Sequence, residues 1–392
     1  MASTERYLNQ LIEDKKTLAN NLVEKGVEAS EDETFTELVP KVLDIQSGGA
    51  TIEKGLVINA IDSDGYITDA SIVGMTEIPE YYFNYCFGNA SFLKNIGKNF
   101  HLPTNLTAIG KYAFNSCPKL AITELPEGIT SIGQYAFSGC SELALTKLPL
   151  NLTRIESDCF NNCTKLALTE LPSGINYIGS YSFGSCTNLA LTELPSGVTL
   201  IGSSAFTSCT NLALTKLPSG ITSIASSAFR NCTNLALTEL PENVQSLAEA
   251  CFQGCTNLAL TSLPEKLSTI YTNVFSSCSN LKIKKIPALT KLINPYAFRN
   301  CIGITELDIL SDLYTTLSNS CFEGCSNLTK IIIRKTSVPT ITTTTFKNTP
   351  IENGTGYIYV SDTLVESFKV ATNWSTYASQ IKGISELPAE EE

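Results

Sequence analysis

Leu189–Asn211 reads LALTELPSGVTLIGSSAFTSCTN, and the residues on either side repeat it. Cysteines stand at Cys117, Cys140, Cys163, Cys186, Cys209, Cys232, Cys255, Cys278 and Cys301, each 23 residues after the last, with Cys325 one residue late. A phenylalanine precedes each by three, from Phe114 through Phe206 to Phe322. A fixed period of this size marks stacked supersecondary units. The stretch therefore predicts one elongated repeat solenoid, where 392 residues alone would suggest two or three globular domains.

Regular units open at Leu120, Leu143, Leu166, Leu189, Leu212, Leu235, Leu258 and Leu281. Each runs L-a-L-T-x-L-P, then a turn such as Pro195-Ser196-Gly197, then I/V-x-x-I, then A-F-x-x-C. The first part is expected to be a strand, ended by a proline that cannot donate the next ladder hydrogen bond. The I-x-x-I segment, as in Ile221 and Ile224, suits an extended corner or one helical turn. A single unit buries too few apolar side chains to offset the entropy of ordering it. Stacking has to supply the difference, and the exposed ends need caps.

One deviant unit sets the register. Leu281-Lys282-Ile283-Lys284-Lys285-Ile286-Pro287 must keep its lysines in water, because buried lysines are expensive, which turns Leu281, Ile283 and Ile286 inward. Carried to the other units, this exposes an alanine lane, a threonine lane (Thr123, Thr146, Thr169, Thr192, Thr215, Thr238, Thr261) and a charge lane (Glu124, Lys147, Glu170, Glu193, Lys216, Glu239, Ser262, Lys285). Two adjacent outward positions imply a bulge near the threonine. The threonine and charge lanes, with Lys282 and Lys284, are the candidate ligand-contact face; the alternative is that they are solvated strand surface and that binding uses the irregular N-terminal unit or the convex side. In the alternative register L-x-x-L-x-L, Leu168, Leu191 and Leu214 would form an exposed apolar stripe.

The flanks differ from the repeats. Residues 4–25 read as an amphipathic helix through Leu8, Leu11, Leu18 and Leu22, ended by Gly26. Thr34 and Glu37 resemble a capping box that opens a second short helix through Phe35 and Leu38. Two such helices make a poor core alone and suit docking or oligomerisation, with a homotrimer through residues 4–25 as the expected assembly and a simple end-cap as the alternative. Gln46-Ser47-Gly48-Gly49 is a flexible break. Alternation from Thr51 to Ser71 suggests a hairpin with Asp62-Ser63-Asp64-Gly65 as its turn; that turn lacks the downstream glutamate of a calcium loop. After Cys301 the pattern becomes Ile304-x-x-Leu307-x-Ile309 and Leu328-x-x-Ile331-x-Ile333. Gly356–Val360 reads as an edge strand and Ser361 as the cap of a helix through Phe368. Trp374, Tyr377 and Ile381 complete an apolar plug, and Glu390–Glu392 a solvated acidic tail.

Composition narrows the chemistry. A net charge of −11 without a basic stripe argues against nucleic acid. No run approaches a membrane span, and no secretory-type apolar segment opens the chain. The 14 cysteines fall on the lattice as buried free thiols, since equivalent side chains on adjacent rungs, about 4.8 Å apart and parallel, do not converge as a disulfide requires. His101 is the only histidine, which excludes nucleophile triads and makes zinc a poor fit. Glu170 and Glu193 are lattice residues on adjacent rungs rather than a converging acid pair. No cofactor or catalytic activity is expected.

The unit L-x-x-L-x-L-P-x-x-I-x-x-I-x-x-x-A-F-x-x-C at this period, and the closing stretch Tyr357–Ile384, resemble the BspA-like leucine-rich repeats. That resemblance implies an α/β-type repeat solenoid, a strand plus a turn or short helix per unit, and a surface protein that binds other proteins, matrix or cells. The segment YLNQLIEDKKTLANNLVEKGV with TFTELVPKVLDI is similar to an N-terminal helical module of phage tail and accessory virion proteins. The organisation expected is a helical docking module (1–46), linker, hairpin and N-terminal cap (47–91), solenoid (92–350), and C-terminal cap with acidic tail (351–392). The function expected is non-catalytic adhesion by a tail-associated virion protein, with residues 1–46 docked to tail proteins and the solenoid face against a host surface protein or glycan. The alternatives are a bacterial cell-surface or secreted adhesin whose leader has been removed and, more remotely, a glycan-cleaving spike.

Overall fold

The computed structural model describes Lys16, Ser30 and residues 55–61, 67–83 and 100–388. The helices expected over 4–25 and 34–46, the turn at 62–65, Cys86 and the last four residues lie outside that set, Lys16 excepted. The chain forms two compact units, Met1–Asn151 and Leu152–Glu392.

In the first unit Gly55–Ile61 pairs antiparallel with Ile67–Val73, Leu56 opposite Ile72, which is the hairpin anticipated from the alternation. Phe100–His101 joins that hairpin parallel through Ala70. Glu77–Ile78, Ala108–Ile109 and Ser131–Ile132 make a second, parallel sheet. Phe83, Phe114 and Phe137 stack with centroids 5.2 and 5.3 Å apart.

The second unit is a β-solenoid. Its phenylalanine column runs from Phe160 to Phe346, each ring nearly parallel to the next at 5.5 to 5.9 Å, an offset stack that places the largest apolar groups on one axis. Three parallel sheets wrap this core. Arg154–Ile155, Tyr177–Ile178 and Leu200–Ile201 form one. Six two-residue strands from Ser223–Ile224 to Thr340–Ile341 form another. Lys285–Ile286, Glu306–Ile309, Lys330–Ile333, Tyr357–Val360 and Ile381–Gly383 form the third.

Two expectations need correcting. In the regular turns the paired strand lies in the I-x-x-I corner, whereas LALTELP is bent at its threonine and is not a strand. Thr192 and Glu193 both point outward, so strict alternation fails there and the ladder shrinks to single bonds such as Ala213 N–H to the Leu191 carbonyl at 3.1 Å. Where alternation returns, as in Glu306-Leu307-Asp308-Ile309, a four-residue strand forms. The α/β class is the second: of the turn or short helix expected in each unit, the described units take the turn. Two residues per turn, for example Ser204 and Ser208, take left-handed φ of 55° and 59°, which ends each helical hydrogen bond after one step. The result is a chain of tight turns in which alternate amides, Ser204, Phe206 and Ser208, donate to the next rung at Ser226, Ala228 and Arg230.

The C-terminal end also differs in detail. Tyr357–Val360 is not an edge strand, because Ile381–Gly383 pairs beyond it. Asp362–Leu364 is 3₁₀ and Val365–Val370 is α, but Ser361 makes no capping bond to the backbone.

Candidate binding face

The register argued from the lysines holds for the side chains. Leu189, Leu191 and Leu194 are buried, Ala190 is half-buried, and Thr192 and Glu193 are exposed. In the deviant unit Leu281, Ile283 and Ile286 are buried while Lys282, Lys284 and Lys285 face water. Leu168, Leu191 and Leu214 are fully buried, so the apolar stripe of the alternative register does not exist.

Of the candidate residues, Thr123, Glu124 and Lys147 belong to the first unit, where all three are exposed and Lys147 pairs with Glu127 at 3.0 Å. That contact holds the Glu127 carboxyl below its ordinary range and raises Lys147. Thr169, Glu170, Thr192, Glu193, Thr215, Lys216, Thr238 and Glu239 follow one another on successive rungs of the second unit, all exposed. Glu193 and Lys216 approach only to 3.8 Å. These side chains are repeated along the stack and do not converge.

Beyond Lys285 the character of the face changes through residues that the lanes did not name. Glu306 is held between Lys330 and Lys284, and their hydrogen bonds lower its carboxyl, Lys330 most. Asp308 receives two guanidinium nitrogens of Arg334 at 2.9 to 3.0 Å. The Lys382 ammonium lies 3.9 Å from the centroid of Tyr357, a cation–π contact. The alternation Glu306-x-Asp308 and Lys330-x-x-x-Arg334 was the available signal, since outward positions on a regular strand fall every second residue. The face therefore changes sign within the second unit: Glu170, Glu193 and Glu239 against Lys216 on one stretch, then Lys282, Lys284, Lys285, Lys330, Arg334 and Lys382 against Glu306 and Asp308 on the next. Between the two stretches lies a depression of about 190 Å³ at Ser262 and Lys285. Among the described residues no cluster of three or more His, Cys, Asp or Glu could hold a metal ion, and no helix is long and apolar enough to cross a membrane.

The model of the BspA type leucine rich repeat region, in six copies, matches residues 76–213, 178–305 and 260–369. The chain belongs to this family. BspA-type units thus extend through both the bent and the regular-strand turns. Among solved structures, a leucine rich cell surface protein of Faecalibacterium prausnitzii is similar at 20% identity over 83% of this chain and 91% of its own, with a TM-score of 0.46. A leucine-rich repeat protein of Bacteroides ovatus is similar at 18% identity over 86% and 99%, TM-score 0.40. The T. pallidum leucine rich repeat protein shares 28% identity over 51% and 86%, TM-score 0.36. Comparison with curated proteins gives no match.

Proposed function

We propose that the protein is a non-catalytic adhesin that works at a bacterial cell surface and binds through the outward face of its second unit. The observation that carries this reading is the lane itself. Side chains at equivalent positions of successive rungs stay exposed and largely unpaired, so a long ligand could be read at several points at once, while Glu170 and Glu193 share no cleft in which they could act as acid and base. BspA-type membership supports a binding role over an enzymatic one.

The test is binding of the purified chain to intact bacterial and epithelial cells and to matrix proteins, with Glu170→Lys, Glu193→Lys and Glu239→Lys combined. Binding that ignores this charge reversal, or its absence from every surface, removes the reading. The tail-associated virion protein, its tail partners and a homotrimer through residues 4–25 remain proposals that rest on residues 1–46, of which only Lys16 and Ser30 are described. Light scattering of the chain with and without residues 1–46 tests the trimer, and no feature of the described turns favours the virion over the cell surface.

A further inference from the structure

In the charge lane of the second unit Ser262 stands where neighbouring rungs carry Glu239 and Lys285, and the 190 Å³ depression lies at this short side chain. The buried Leu263 and Pro287 line it together with the exposed Thr261, Ser262, Glu265, Lys284 and Lys285.

Part of its lining is chemically unused. Lys284 is engaged by Glu306 at 3.0 Å. The hydroxyls of Thr261 and Ser262, the Lys285 ammonium and the Glu265 carboxylate, by contrast, have no side-chain partner among the described residues, and all four residues are exposed. One cation, one anion and two hydroxyls without a side-chain partner therefore line one depression.

We propose that this depression is a subsite for one carboxylate-bearing ring of an acidic polysaccharide. The proposal rests on the binding reading above and names its ligand class. Lys285 supplies a charge-assisted bond to a carboxylate. Glu265 can accept from neutral hydroxyls but repels a second anion, which disfavours a polyanion with charge on every face. Thr261 and Ser262 donate to or accept from ring hydroxyls. The volume lies below the roughly 300 Å³ at which drug-sized sites begin, which suits a single ring, and the lysine-rich stretch on the Lys285 side lets an acidic chain continue across the rungs.

The experiment titrates the full chain with polygalacturonate, neutral dextran and poly-L-glutamate by calorimetry at two salt concentrations, using wild type, Lys285→Gln, Ser262→Ala and, outside the proposed binding lanes, Lys347→Gln. Thermal unfolding of each variant confirms that these exposed substitutions leave the fold intact. The expected result is salt-sensitive binding of polygalacturonate over dextran, weakened roughly tenfold by Lys285→Gln, weakened less by Ser262→Ala and unchanged by Lys347→Gln. Equal loss with Lys347→Gln would make the effect diffuse charge, and equal binding of poly-L-glutamate would make the ligand an acidic peptide; either overturns the subsite. Cell binding that persists without any affinity for polygalacturonate removes the sugar subsite alone, whereas loss of both removes the adhesin reading as well.

Discussion

The thiol of Cys232 donates to the carbonyl oxygen of Phe206, one rung back, at 2.9 Å. The same contact recurs from Cys186 to Phe160, Cys209 to Phe183, Cys255 to Phe229, Cys278 to Phe252 and Cys301 to Phe275, at 2.9 to 3.0 Å. The cysteine column is thus a hydrogen-bonded spine beside the phenylalanine column, and the thirteen described cysteines are free and buried.

That spine makes the fold sensitive to alkali. Burial pushes the Cys232 and Cys278 thiols well above their ordinary range, and Cys325 up to about 12. Between the ordinary value of 9.0 and the folded value, the unfolded chain has released protons that the folded chain retains. Stability is therefore complete below pH 9 and is lost as pH rises above it, by about 1.4 kcal/mol per pH unit for each such thiol. Denaturant midpoints under reducing conditions should fall steeply from pH 9 to pH 10. Cys232→Ala should lower stability at pH 7 while flattening that slope by one thiol's share. A midpoint unchanged to pH 10 would falsify this.

Acid acts on a different contact. Hydrogen bonds from Lys330 and then Lys284 hold the Glu306 carboxyl below its ordinary value of 4.5. The stability this confers is present above pH 4.5 and is lost as pH falls through the lower folded value. The Glu306 side chain is 30% exposed, so solvent limits the contribution to about 1 kcal/mol or less. Glu306→Gln should cost about that much at pH 7 and reduce the drop in thermal midpoint between pH 5 and pH 3. A variant that loses stability in parallel with wild type over that range would assign the acid sensitivity elsewhere.

The period, the inward leucines and the outward lysines were legible because each follows from spacing or from the cost of burying charge. Leu281-Lys282-Ile283-Lys284-Lys285 permits one register only, and Leu191 is buried as that register requires. The location of the paired strand was not legible. LALTELP looks like a strand by composition, yet the adjacent outward pair Thr192–Glu193 breaks the alternation, and the ladder moved to Leu200–Ile201. The left-handed residues did leave a trace. Gly139, Asn162, Asn231 and Gly254 occupy the position before the cysteine and have positive φ, a position that glycine and asparagine tolerate best. The depression at Ser262 depends on the depth left between neighbouring side chains on two rungs, which a one-dimensional pattern does not contain.

A buried cation replaces part of the apolar corner in the later turns. Lys335 is 5% exposed, its ammonium 2.7 Å from the Asp312 carbonyl oxygen, 3.3 Å from the Asp312 carboxylate and 4.8 Å from the Tyr314 ring centroid. The same carboxylate accepts from the Thr336 amide at 3.0 Å and hydroxyl at 2.8 Å. Asp312→Ala leaves the ammonium with one oxygen and breaks both threonine bonds, so a loss of about 1–3 kcal/mol is expected. Lys335→Met removes the buried charge together with its need for a partner and should cost about 1 kcal/mol or less. Chemical denaturation of the two variants checks the order, and a costlier Lys335→Met would show that the cation–π and carbonyl contacts outweigh its desolvation.

At the C-terminal end the last phenylalanine of the column needs a cover, and the chain's single tryptophan supplies it. Trp374 is fully buried, 6.1 Å from Phe346 and 4.9 Å from Phe368 by ring centroids, and its indole N–H donates to the Pro339 carbonyl at 2.6 Å. Asn373 reaches that position with a φ of 64° and donates to the Ile341 carbonyl at 2.7 Å, so the plug is fixed to the preceding rungs by two bonds as well as by packing. Trp374→Phe keeps most of the packing but strands the Pro339 carbonyl, for an expected loss of about 1–3 kcal/mol, and Trp374→Ala should cost about 3–5 kcal/mol. Because terminal rungs of a stack are stable only when covered, unfolding followed by Trp374 fluorescence should coincide with unfolding of the second unit followed by circular dichroism. Truncation after Val360 removes the Ile381–Gly383 strand along with the plug, leaves Tyr357–Val360 as an open edge, and should drive self-association. A truncated chain that stays monomeric by light scattering, with an unchanged midpoint, would show that the last rung needs no cover.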